Sequence, residues 1–247
     1  MDGMTEADLG ELRSTVEKLL AAPGEATSRW VRLASAGVAT VLIEAGESGM
    51  RVLAGVGEQV GHALSDVPFV TIAGGVAAVV RTAPQSSTRS ELLAGLDEGV
   101  TAALAVPSSF SVVSARLPLP ALESGSLSGT VYDVLADPLT RLFIVPCTDG
   151  DEPCVAVVDA GDVQVSEAAN LDPTRRLVTI RFDKSQAHLL QRGGAVPRAV
   201  ADAVRVETVA LSAEMIGAAE AALEETVTFV SGRVAFGGLL AEQQAVR

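Results

Sequence analysis

Few residue types in this chain could carry chemistry on sight. Two histidines, His62 and His188, and two cysteines, Cys147 and Cys154, are its whole supply of imidazole and thiol. Nothing pairs either histidine with a nucleophilic serine or cysteine, so a hydrolase triad has little support. No ligand cluster surrounds the cysteines at metal-binding spacing, and no metal site is expected. Their separation suits adjacent strands of a hairpin, with both thiols reduced in a cytosol. The stretch 50–61 carries Gly55, Gly57 and Gly61. The third glycine is one residue late for a dinucleotide turn, and 67–90 holds no acid for a ribose. Small residues for close packing are the simpler reading. In 125–129 the centre is Leu127, where a nucleophile elbow needs serine, so a turn entering a strand is expected. Arg233 remains. Its guanidinium can grip a pyrophosphate bidentately, and it equally suits the C-terminal end of a helix.

Charge and composition narrow the partners. The net charge of −13 repels phosphate backbones and anionic membranes, yet leaves room for a local basic pocket. Hydrophobic residues make up 48% and aromatics 3%, so the core must be built from Ala, Val and Leu. The N-terminus reads as acidic and helical rather than as a secretory signal. The apolar run 67–80 is too short for a membrane span and contains Pro68, Gly74 and Gly75. A cytoplasmic protein is expected.

The elements that must hold these residues change along the chain. Thr5 with Asp8 makes a capping-box start, and Leu9, Leu12, Val16, Leu19 and Leu20 follow at helical spacing up to Pro23. A second helix is expected over 28–36 with Trp30 and Leu33 inward. Residues 50–105 read as helical, with Leu53, Val56, Val60 and Leu64 on one face. From about 105, prolines and short β-rich runs take over, at 142–145, 155–158, 163–165 and 177–182. Val178, Ile180 and Phe182 alternate as a half-buried strand does. After Pro197, Met215, Ala219, Leu223, Val227, Val230 and Val234 trace an apolar helical stripe. Gly237-Gly238 is expected to end that helix, and a second to begin at Leu239. The reading is an α+β multi-domain chain. It has an N-terminal helical domain (1–104), a middle antiparallel β-domain (105–195) and the start of an incomplete C-terminal helical bundle (196–247).

Three features resemble the acyl-CoA dehydrogenase family. The segment from Arg233 through Phe236, Gly237 and Gln244 is similar to the family's Arg, two residues, Phe-Gly pattern followed by Phe-Gln-Ala-Val. The run Leu171-Asp172-Pro173-Thr174-Arg175-Arg176 looks like the end of the family's β-domain, especially in actinobacterial members. The helical, β, helical order is the third. There are departures. Ala105-Val106-Pro107 stands where the family has Thr-Glu-Pro, no Trp lies in 127–134, and Gly238-Leu239 replaces a basic residue and proline. The family continues for three long helices past the point that matches Arg247. A truncated chain, a further tail or a naturally short subunit would each account for that.

The resemblance implies FAD-dependent α,β-desaturation of an acyl-CoA thioester. A carboxylate removes the α-proton and the flavin accepts the β-hydride. Arg233, Phe236 and Gln244 would contact the FAD of a neighbouring subunit, in a homo- or hetero-oligomer. Reading back from Phe236 puts Glu207 at the position of the base found in some members, near the start of the bundle helix. There a carboxylate also complements the helix dipole. Two alternatives stand beside this. One is a non-catalytic partner that completes the FAD site of another dehydrogenase chain. The other is a scaffold with no cofactor.

Overall fold

The computed structural model describes residues 5–44, 46–107, 119–170 and 175–243. Helix α1, Glu6–Ala21, begins at a reciprocal cap: the Asp8 N–H donates to Thr5 Oγ1, and the Thr5 N–H donates to Asp8 Oδ2 at 2.9 Å. Helix α2, Ala26–Ser35, buries Trp30 and Leu33 as its spacing predicts. A short helix α3, Val41–Glu44, leads to α4, Gly49–His62, whose Val52, Leu53, Val56 and Val60 are buried. Leu64 does not join that face. The chain has already left the helix, Leu64 takes φ 46°, and its side chain is exposed. The apolar run beyond it forms a buried π-helix, Val70–Val76, continued by α5, Ala77–Thr82. Ser86 caps α6, Ser87–Asp97, accepting from the Arg89 N–H.

Helix was expected up to residue 105, but β1, Ala102–Leu104, has already entered the sheet there. The remaining strands are β2 (Ala121–Glu123), β3 (Ser126–Leu135), β4 (Leu142–Asp149), β5 (Glu152–Asp159), β6 (Gln164–Ala168), β7 (Leu177–Gln186) and β8 (His188–Arg192). They run in the order β6-β7-β3-β2-β4-β5-β8, with β1 against β4. The sheet is not wholly antiparallel: β1 and β2 both lie parallel to β4. The hairpin β4–β5 sets Cys147 opposite Cys154. Their sulfurs are 3.2 Å apart, both residues are fully buried, and burial pushes both thiols up.

Helix α7, Val196–Gly232, starts with Pro197 in its first turn, where proline costs no hydrogen bond. Its buried face begins with Val196, Val200 and Val206 among alanines and, where α4 crosses, narrows to the small residues Ala210, Ala213 and Gly217. They are small because α4 crosses at backbone contact. A methyl group on Gly61 would lie 1.9 Å from the Glu214 carbonyl oxygen, and one on Gly217 would lie 1.9 Å from that of Glu58. The glycines of 50–61 therefore serve packing, as the sequence suggests. Met215, Leu223, Val227 and Val234 of the apolar stripe are exposed.

One apolar core joins the helices to one side of the sheet through Ile144, Val155 and Val157. A second, with Phe143, Val145 and both cysteines, fills the other side. Beyond Gly232 the expected helix boundary gives way to a hairpin of β9 (Val234–Ala235) and β10 (Gly238–Leu239). A single 3-10 turn, Leu240–Glu242, replaces the expected second helix. Phe236 and Gly237 form the hairpin's two-residue tip at φ 55° and 85°. Positive φ at both tip positions matches the twist of the paired strands.

Candidate functional site

Glu207 lies about three turns into α7 rather than at its start, so the helix dipole does not account for it. It faces the π-helix. There the widened turn presents two glycines in succession, Gly74 and Gly75. A methyl group on Gly74 would sit 3.1 Å from the Glu207 Cα. One on Gly75 would sit 3.2 Å from the carboxyl carbon and 3.3 Å from each oxygen. The bare Gly75 thus gives the Glu207 carboxyl room that a methyl group would crowd. Glu207 is partly covered, and its carboxyl rests against Gly75. No hydrogen bond or ion pair holds that carboxyl among the described residues. Burial alone pushes its pKa up to about 8. A carboxyl that exchanges its proton near neutral pH is suited to general acid–base work.

One turn further along both helices, Leu211 and Glu214 of α7 and Val70 and Thr71 of the π-helix line a cleft of about 850 Å³. The strand end Leu135, the turn 136–139 and Arg175 close its other side. Glu214 is 4% exposed and is ion-paired with Arg175, tying α7 to the sheet. Sequence reasoning missed this cleft. Its traces were the Gly74-Gly75 pair inside an apolar run and Glu214 two turns after Glu207 on one helical face.

The cofactor candidates sit elsewhere. Arg233 caps the C-terminus of α7, its N–H bonded to the Phe229 carbonyl at 2.9 Å. Its exposed side chain complements the helix dipole and is also accessible to a ligand. Phe236 is 93% exposed at the hairpin tip. Gln244 lies outside the described residues. Along α7, Glu207 and Arg233 are separated by roughly 40 Å. One chain does not bring its base candidate and its cofactor candidates together.

The flavin-binding loop of the family has a poor counterpart here. Ala105 and Val106 are buried, and their N–H groups are engaged by the carbonyls of Ile144 and Leu104, each at 2.8 Å. They offer a flavin ring no donor. On the sheet, Tyr132, Thr130, Thr179 and Arg181 line an open groove of about 710 Å³ that contains no Trp. At the hairpin end of α7, Arg233 and Phe236 are both exposed. At the loop 105–107 the residues present do not fit a flavin. Among the described residues no group of His, Cys, Asp and Glu could hold a metal ion, and no helix is long and apolar enough to cross a membrane.

Residues 198–247 match the acyl-CoA dehydrogenase C-terminal domain family. No curated protein matches the sequence. The fold is similar to that of the ChsE4-ChsE5 complex from Mycobacterium tuberculosis, with TM-score 0.72 and 20% identity over 99% of this chain and 72% of that one. It is similar to butyryl-CoA dehydrogenase from Megasphaera elsdenii, with TM-score 0.73 and 16% identity over 100% of this chain and 74% of that one. A steroid ACAD variant of Tcur3481-Tcur3483 gives TM-score 0.76 and 23% identity over 97% of this chain and 71% of that one. The chain therefore has the acyl-CoA dehydrogenase fold, and its segment 198–247 matches that family's C-terminal domain.

Proposed function

We propose that the chain is a subunit of an FAD-dependent acyl-CoA dehydrogenase in which Glu207 takes the α-proton of an acyl-CoA thioester. The observation that carries this reading is the Glu207 carboxyl: partly covered, without a polar partner among the described residues and set against Gly75. Such a group holds its proton loosely near neutral pH and has an empty coordination to offer a substrate. The flavin, when bound, supplies the acceptor for the β-hydride. This chain's residues take the α-proton, exclude water at the helix seam and hold the acyl group along α7. Arg233 and Phe236 stand clear of their own chain and would reach the flavin nucleotide of a partner, as subunits of one assembly do.

A second reading is favoured by one observation, the apolar and internally bonded Ala105 and Val106. In that version the chain is non-catalytic and completes the flavin site of another dehydrogenase chain. The ChsE4-ChsE5 structure, itself a complex of two named chains, supports a mixed assembly.

A visible spectrum of the purified protein separates these. A flavin band from the chain alone, with desaturation lost in Glu207→Gln, supports the first reading. Colour that comes only with a co-expressed dehydrogenase chain, and activity indifferent to Glu207→Gln, supports the second. A colourless protein under both conditions overturns the redox assignment.

A further inference from the structure

The cleft that opens one turn beyond Glu207 has an unusual polar wall. Most polar groups lining it are already engaged. Asp66 accepts from Arg29 at 2.7 Å, and Asp137 accepts from the Leu139 N–H at 2.8 Å. The Thr71 hydroxyl donates to the Pro68 carbonyl at 3.1 Å, and Arg176 pairs with Glu167. Two oxygens are left over: Ser65 Oγ and Glu214 Oε1 are both shielded from solvent and have no hydrogen-bond partner among the described residues. Glu214 Oε2 is held by Arg175, so Oε1 remains as an acceptor, and the Ser65 hydroxyl on the same cleft can donate. The Glu214 terminal torsion is soft and can turn either oxygen toward the cleft. The rest of the lining is largely apolar, with Val60, Leu64, Val67, Val70, Leu135 and Leu211.

Position adds the second argument. From Glu207 to Glu214, α7 advances about 11 Å, the reach of a medium-length acyl chain. A thioester whose α-carbon met Glu207 would lay its tail along Leu211 and end at Glu214. Leaving buried polar atoms unmatched is disfavoured, and a ligand oxygen at that depth would match them.

We propose that this cleft is the acyl subsite and that Glu214, Arg175 and Ser65 select an acyl chain carrying a hydroxyl group at its far end. The hydroxyl donates to Glu214 and accepts from Ser65, with Arg175 holding Glu214 in place. The proposal rests on the dehydrogenase reading for the placement of the thioester.

The test is calorimetric binding by the full chain, with its partner where one is required. Decanoyl-CoA is compared with its ω-hydroxy derivative, and the N-acetylcysteamine thioesters of the same two acids are run in parallel. The native protein is expected to prefer the hydroxylated ester about tenfold. Ser65→Ala, a mild change on the cleft wall, is expected to cut that preference about threefold. Glu214→Gln is expected to bring it close to parity. Equal binding of the two CoA esters by the native protein overturns the proposal and leaves the dehydrogenase reading intact. A hydroxyl preference seen only with the N-acetylcysteamine thioesters sinks CoA recognition and upholds the subsite. No binding of any of the four overturns both.

Discussion

Gly61 and Glu214 meet backbone to backbone: a methyl group on Gly61 would fall 1.9 Å from the Glu214 carbonyl oxygen. The crossing of α4 and α7 thus depends on an absent side chain. Gly61→Ala is expected to cost about 3 kcal/mol or more, because neither backbone can retreat without opening the seam. Gly10, in α1, has nothing within 4 Å of such a methyl group. Gly10→Ala should stabilise by about 0.5–1 kcal/mol through helix propensity. Chemical denaturation of the two variants checks the contrast, and equal effects would refute the close crossing.

Glu207 gives a pH signature of definite sign. Its folded pKa is about 8 against an ordinary value of 4.5. Between those values the folded chain keeps a proton that the unfolded chain has lost. Its contribution to stability is therefore complete below about pH 4.5 and fades as the pH rises through 8. Glu207→Gln cannot ionise. It should match the native protein at pH 4 and exceed it by on the order of 2 kcal/mol at pH 9. Parallel urea midpoints across that range would mean that the carboxyl is solvated. For the reaction, kcat/KM should climb as the pH passes through about 8, because the base must be ionised.

Phe236 sets stability against assembly. It is 93% exposed and holds φ 55°, a conformation costly for a bulky side chain. Phe236→Gly is expected to raise the stability of the lone chain by about 1 kcal/mol. The same change should lower flavin retention in the assembled protein, as should Arg233→Ala, which is expected to lower stability by no more than about 0.5 kcal/mol through the helix dipole. Thermal melts and the flavin-to-protein absorbance ratio read the two effects separately. Unchanged flavin content in both variants would remove the hairpin from the cofactor site.

The pair between Arg175 and Glu214 is buried on its acidic side. Removing one partner strands the other, so Arg175→Ala should destabilise by about 3–5 kcal/mol. The double change Arg175→Met with Glu214→Leu should recover most of that loss, since a matched apolar pair has no charge to strand. A double variant as unstable as the single one would show that Arg175 matters through its packing.

Local signals in the chain translated well. The Thr5–Asp8 cap, the Trp30 face of α2 and the alternation of Val178, Ile180 and Phe182 all appear as their spacing predicts. The failures share a cause. An apolar stripe says that a face wants cover, not which face wins it. On α7 the contact went to alanines and Gly217, because close helix crossing rewards small residues over large ones. Gly237-Gly238, expected as a helix boundary, instead helps close a hairpin with its tip at Phe236-Gly237, since Gly-Gly signals both. Glu207 was found by resemblance, whereas its seat on Gly75 became visible only once α7 and the π-helix were side by side. Ser65 gave no local sign and Glu214 only its spacing from Glu207, because the cleft is assembled from distant parts of the chain.

The sealed thiols of β4 and β5 give the protein a built-in clock. Cys147 and Cys154 are the only cysteines, and both are wholly covered. An alkylating reagent can reach them only when the strand pair parts, so the labelling rate under native conditions counts openings of that half of the molecule. Mass spectrometry would also tell whether the two positions are marked together, as cooperative opening requires, or one at a time.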